Sequence, residues 1–240
     1  MIIFWSIGYG IIYSVAEKMS IQIGSPHKIT AFALFIFLCG CFIVLLKNKK
    51  ANLWRIKLPS TKSWIITLPL LILPIMNICL LFFLPLKSVA SPSIWYLMTV
   101  IFTAISEELL FRGYLLVLLS HFFRKSILLT AVTNSIIFGG FHFLNIISGG
   151  DFYTTLLQVV YAISISFAFV IITVKADSIF PCMLVHCLVN ANSVLQKEIV
   201  LNAETIVAYA AVCACYVLYG MALYYKSYRK KRWKKDETLH

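Results

Sequence analysis

Six residues inside otherwise apolar stretches have types and spacings that could do acid–base chemistry. They are Glu107, Glu108 and Arg112 in one stretch, His142 in the next, and His186 with Asn190 in a later one. A charged side chain at the centre of a membrane helix costs roughly 2.5–3.5 kcal/mol on insertion scales, so such residues mark candidate functional sites and need partners away from lipid. Glu108 and Arg112 are four apart and share a helix face, where they can pair directly. Glu107 is rotated about 100° from Glu108 and needs its own partner elsewhere in the bundle. His186 and Asn190 are also four apart and project together. His142 follows Phe138-Gly139-Gly140-Phe141, whose glycines loosen the helix or let a neighbour approach closely.

Peptide hydrolysis requires a base, a positioned water and donors for the tetrahedral oxyanion. A carboxylate, two imidazoles and an asparagine amide supply those groups. Each residue alone also has a plainer reading. The Glu108–Arg112 pair can lock a fold, a single histidine can be a satisfied inter-helix hydrogen bond, and Asn190 can be helix glue. Their joint occurrence on three helices favours chemistry. Cys187 as a nucleophile for His186 is disfavoured, because adjacent helical side chains diverge.

The elements that must position these groups are membrane helices. Of the 240 residues 61% are hydrophobic and 12% charged, against about 25% charged in soluble domains, too few to cover a folded surface in water. Runs of about 20 apolar residues can span a bilayer. They fall at roughly 2–16, 29–46, 64–86, 94–119, 126–145, 152–174, 180–196 and 204–225, which predicts an all-α polytopic bundle of about eight spans in one integral membrane domain. Pro69 and Pro74 fall inside the third run and should kink it.

The net charge of +12 would raise the question of nucleic acid in a soluble chain. Here the basic residues lie at segment ends and in the tail, so no nucleic-acid partner is expected. Eight spans place sixteen Lys and Arg residues on one side and four on the other, which predicts both termini in the cytoplasm. Cys39/Cys41 and Cys213/Cys215 point apart on their helices, and the seven cysteines require no disulfide. His121 reads as an interfacial residue, His27 and His240 as loop and tail, and Asp151 and Asp177 as solvated loop charges.

The three patterns read EExxxR (Glu107–Arg112), FxxxH (Phe138–His142) and HxxxN (His186–Asn190), in that order on successive hydrophobic segments. With the extended string Glu-Glu-Leu-Leu-Phe-Arg-Gly they resemble the CPBP family, which includes type II CAAX prenyl endopeptidases and bacteriocin-processing or self-immunity (Abi) proteins. The resemblance covers roughly 94–196, the expected protease core. It implies that Glu107 activates water, that His142 helps orient that water, and that His186 and Asn190 stabilise the oxyanion. It implies a supporting role for Glu108 and Arg112.

Metal use stays open on these residues. Glu107, His142 and His186 could form a His₂Glu site of the kind catalytic zinc uses. The sequence lacks HExxH, and water activation by Glu107 and His142 without a metal is the preferred expectation. With the boundaries above, Glu107 lies mid-span, His142 towards the outer end of its helix and His186 nearer the cytoplasmic end, so one shared site demands a tilt or shifted boundaries. The expected partners are the lipid bilayer and a membrane-embedded or membrane-proximal peptide, and the expected location is a bacterial plasma membrane. The rival readings are a non-proteolytic self-immunity or scaffold protein, and a transporter using the same groups as a proton relay.

Overall fold

A computed structural model describes residues 13–47, 55–83, 93–124, 126–147, 149–195 and 202–237. Among these residues the secondary structure is helical with connecting turns and no strand, the polytopic all-α architecture expected. Helices Ile94–Phe122, Ile127–Ile146, Phe152–Ala176 and Ala203–Ser227 are long and apolar enough to cross a membrane, and Lys28–Ile43, Thr61–Ile72 and Phe180–Asn192 are shorter apolar segments. Most of the first expected span, 2–16, lies outside the described residues.

The chain forms two compact units interleaved in sequence, one of 1–115 with 176–198 and the other of 116–175 with 199–240. The segment 94–196 therefore draws on both.

In the first unit a helical stretch at 13–22 precedes α1 (Lys28–Lys47), α2 (Thr61–Phe83) and α3 (Ile94–Glu108). Ser93 caps α3 by accepting from the Trp95 backbone N–H at 3.3 Å. The sequence predicts an uninterrupted helix to 119, but the backbone widens into a π-helical stretch at Leu109–Leu115, immediately after the two glutamates. Such stretches are rare inside α-helices and occur often at functional sites. The stretch buries Leu109, Leu110, Phe111, Arg112, Gly113 and Leu115. Leu109 joins Leu38, Ile179 and Met183 in an apolar cluster, and its packing against Phe102 and Ile105 fixes the end of α3.

Helix α2 runs through Pro69 and Pro74. The buried Asn192 donates its amide to the Pro74 carbonyl at 2.8 Å, a side-chain bond that ties α2 to residue 192. Two charges read as solvated or loop-bound have partners. Asp177, at φ 52, pairs with Lys57 and with Arg55 Nε at 3.6 Å. His27, at φ 66, lies 3.1 Å from Glu17 Oε2 and stacks on Tyr96 with ring centroids 4.6 Å apart.

The second unit contains α4 (Leu116–Phe122), α5 (Ile127–Phe141), the single turn α6 (Leu144–Ile147) and α7 (Phe152–Ala176). The chain returns to this unit as α9 (Ala203–Glu237). Gly139 lets α5 approach α7. A Cβ at Gly139 would overlap the Ile163 side chain and lie 2.9 Å from the Val159 carbonyl oxygen, whereas a Cβ at Gly140 meets nothing within 4 Å. The Ile163 side chain can turn aside but the Val159 backbone cannot. Gly139→Ala is therefore expected to destabilise by about 1–3 kcal/mol, the range for overpacking. Gly140→Ala should be nearly neutral, as read by thermal unfolding in detergent. Equal midpoints for the two variants would show that the helices are not in tight contact.

Asp151, read as solvated, caps α7: the Thr154 backbone N–H donates to its Oδ1 at 2.9 Å. That bond is the largest influence holding the Asp151 carboxyl below its ordinary value. A carboxyl depressed in the folded state contributes stability above its unfolded value and loses it as pH falls through the folded value. Acidification from neutral to below the usual aspartate range is expected to narrow the stability gap between wild type and Asp151→Ala. Unfolding measured across that range checks it, and a gap independent of pH contradicts the cap.

Candidate active site

Helix α3 and helix α8 (Phe180–Leu195) position the candidate groups of the first unit. α8 starts after a turn that docks on the segment before α2: Ser178 Oγ donates to the Lys57 carbonyl at 2.7 Å and the Ile179 N–H to the Arg55 carbonyl at 3.1 Å. Met183, one turn before His186, lies in the apolar cluster with Leu109, so α8 faces the end of α3.

Four charged or ionisable side chains meet there. The Arg112 guanidinium pairs with Glu108 Oε1 at 3.0 Å, the one-turn contact that the spacing predicts, with both side chains fully buried. His186 Nδ1 donates to the same Glu108 oxygen at 2.8 Å. A carboxylate oxygen only accepts, so this bond places a proton on Nδ1. The other ring nitrogen, Nε2, faces Glu107 Oε2 at 3.4 Å. Glu107 thus finds its partner across the bundle in His186, and the two lie at one height, which removes the mismatch that the expected boundaries implied between them.

Exposure grades the four. The Glu107 side chain is 27% exposed, His186 is 8% exposed, and Glu108 and Arg112 are sealed. Only Glu107 has substantial access to a water or a substrate. Glu108 cannot reach either and acts through its neighbours. Asn190, one turn beyond His186, donates its amide to the Val100 carbonyl of α3 at 3.3 Å. Cys187 lies against the Ile101 carbonyl of α3, with its sulfur 3.9 Å away.

His142 belongs to the second unit, as the residue that ends α5. Its backbone N–H caps the Gly139 and Gly140 carbonyls, and its ring meets Phe138 edge-on at 5.2 Å. Nδ1 donates to the Phe138 carbonyl at 3.2 Å. A carbonyl can only accept, so in the neutral ring Nε2 carries the lone pair and is the nitrogen able to take a proton. The FxxxH spacing thus sets the histidine's tautomer through its own helix. His121 makes the same local bond, Nδ1 to the Val117 carbonyl at 2.8 Å, at an exposed position that suits an interface.

Both ring nitrogens of His186 are turned to carboxylate oxygens. Within the first unit, His186 Nε2 and Glu107 Oε2 could both ligate an ion while Nδ1 keeps its bond to Glu108. Among the described residues no three His, Cys, Asp or Glu side chains are grouped to hold an ion.

Sequence reasoning missed two partners. Glu108 is bound from two elements at once, which its pairing with Arg112 conceals, and the acceptor for Asn190 is a backbone carbonyl, which no side-chain pattern can signal.

A polytopic α-helical membrane protein with a partly exposed carboxylate facing an oriented imidazole has the features of a membrane-embedded hydrolase. Residues 89–192 match the family model for type II CAAX prenyl endopeptidase Rce1-like proteins. That segment contains all three motifs and is similar to the type II CAAX prenyl endopeptidases that the family model describes. No curated protein and no solved structure matches the chain.

Proposed function

We propose that this protein is an intramembrane endopeptidase in which Glu107 is the general base. The carrying observation is the graded exposure of the α3–α8 cluster, with Glu107 the accessible carboxylate and its imidazole partner behind it. Glu107 takes a proton from water, with His142 as its partner in water activation, the role the resemblance gives it. His186 and Asn190 donate to the tetrahedral oxyanion, and Glu108 with Arg112 supports them. Water activation needs no metal in this reading. The substrate is a peptide within or beside the bilayer, both termini lie in the cytoplasm and the setting is a bacterial plasma membrane.

The test compares membrane and secreted peptides from cells carrying wild-type protein or Glu107→Ala. A peptide pair present only with wild type, joined end to end by one bond, identifies substrate and cleavage site together. Purified protein is then assayed on an internally quenched peptide ending in farnesyl-Cys-aliphatic-aliphatic-X and on its unprenylated copy. Identical peptide profiles and no cleavage of either probe would end the protease reading.

A second reading draws on the fact that His186 and Asn190 already hold partners in α3. In a non-proteolytic self-immunity or scaffold protein those bonds would be the whole purpose of the residues. Glu107→Ala would then protect cells as well as wild type does.

A further inference from the structure

We propose that Glu108 is the positioning residue of a carboxylate–imidazole–carboxylate relay, and that His186 carries the proton from Glu107 to the departing amine. The inference rests on the peptidase reading above and adds a path for the proton. Three observations carry it. Glu108 is sealed from solvent and directs its Oε1 at His186 Nδ1, 2.8 Å away. Arg112, equally sealed, anchors that same oxygen. The imidazole's remaining nitrogen faces the more accessible carboxylate, Glu107, at 3.4 Å. A buried carboxylate behind an imidazole whose far nitrogen meets the reacting group is the arrangement that orients a proton-carrying histidine in hydrolases of unrelated fold. A residue needed only as an oxyanion donor requires no second carboxylate at its back.

The relay runs without redox change. Glu107 Oε2 accepts a proton from water as the water oxygen bonds to the peptide carbonyl carbon. Glu107 passes that proton to His186 Nε2. The imidazolium, its charge matched by Glu108, donates to the oxyanion while it is held. It then gives the Nε2 proton to the amide nitrogen, the C–N bond breaks with its electron pair on nitrogen, and the oxyanion collapses to a carbonyl. The products are a free acid and an amine.

The relay is tested on full-length protein in nanodiscs, with the quenched farnesyl-cysteine peptide and a matched depsipeptide whose scissile amide is an ester. An ester leaving group departs without a proton, so it separates proton delivery from oxyanion binding. Glu108→Gln and His186→Gln are expected to lower kcat on the amide by about 10²-fold or more, to hold KM within about twofold, and to lose less than tenfold on the ester. Glutamine at 186 can donate to an oxyanion but cannot carry a proton. Recovery of amide hydrolysis to within tenfold of wild type in His186→Gln would overturn the relay. An equal loss on amide and ester in Glu108→Gln would do the same.

A second readout does not depend on turnover. In ¹⁵N-histidine-labelled protein, with the His186 signals assigned by their loss in His186→Gln, Nδ1 is expected to carry a proton in wild type. In Glu108→Gln that signal should shift towards exchange between tautomers. An unprotonated Nδ1 in wild type, or an unchanged signal in Glu108→Gln, overturns the positioning role. If neither peptide nor ester is cleaved by wild type the peptidase reading fails, while the nitrogen signals still decide what Glu108 does.

Discussion

Glu107→Ala is expected to lower peptide cleavage by about 10²–10⁴-fold, the span that a positioned general base contributes. The side chain is the accessible member of its cluster, so the variant removes the proton acceptor and leaves the packed groups in place. Glu107→Gln should be equally inactive, since it keeps the volume and one acceptor oxygen but lacks a carboxylate. Membrane insertion should be unchanged and unfolding in detergent shifted by no more than about 1 kcal/mol, because no buried cation loses its only carboxylate. His186 keeps Glu108, at 2.8 Å. Turnover of the quenched peptide by purified variants measures the first effect and tryptophan fluorescence during denaturant titration the second. A variant that is unfolded as well as inactive would assign Glu107 to the fold.

Arg112→Leu is expected to destabilise by about 3–5 kcal/mol, the cost of removing one partner from a buried ion pair. Both side chains are fully buried, so the Glu108 carboxylate left behind gains no water. The largest part of that cost belongs to the buried carboxylate, left with the His186 N–H but without its cation, rather than to the attraction lost, which makes a second variant informative. The double substitution Glu108→Leu with Arg112→Leu replaces both charges by apolar groups and should recover most of the loss, as apolar replacement of whole buried pairs does elsewhere. Activity should not return in the double variant, because His186 then lacks its anchor. Unfolding midpoints of the two single variants and the double variant form a complete cycle. A double variant no more stable than Arg112→Leu would mean that Arg112 acts through contacts other than Glu108.

Much of this could be read from residue spacing. The Glu108–Arg112 pair is legible because one helical turn brings residues four apart together, and no tertiary knowledge is needed. The same arithmetic rotates Glu107 away from that pair and gives it a separate partner, whereas both glutamates meet one imidazole, His186, which spacing cannot name. Glu107 and His186 are 79 apart in the chain, and their meeting depends on α8 packing on α3 through Leu109 and Met183. The π-helical stretch at Leu109–Leu115 was not legible, since its residues are as apolar as those of an ordinary span and hydropathy does not register one wider turn. Asp151 is solvated, as read, but its second role was not legible. A carboxylate before an apolar run can be a solvated charge and a helix cap at once, and the bond to the Thr154 N–H shows that it is both.

The long sequence separation between Glu108 and its histidine also has a consequence in time. The Arg112 guanidinium follows Glu108 by one turn, so α3 can leave the insertion machinery with that charge already matched. His186 is made 78 residues after Glu108, which at roughly 5–20 residues per second of synthesis is a wait of about 4–16 s. During that interval Glu107 lacks the His186 imidazole that it faces in the folded protein. The nascent helix must shelter one acidic side chain, against water or the insertase itself, until α8 arrives. Biogenesis of this protein should therefore be more sensitive than its mature stability to anything that delays α8.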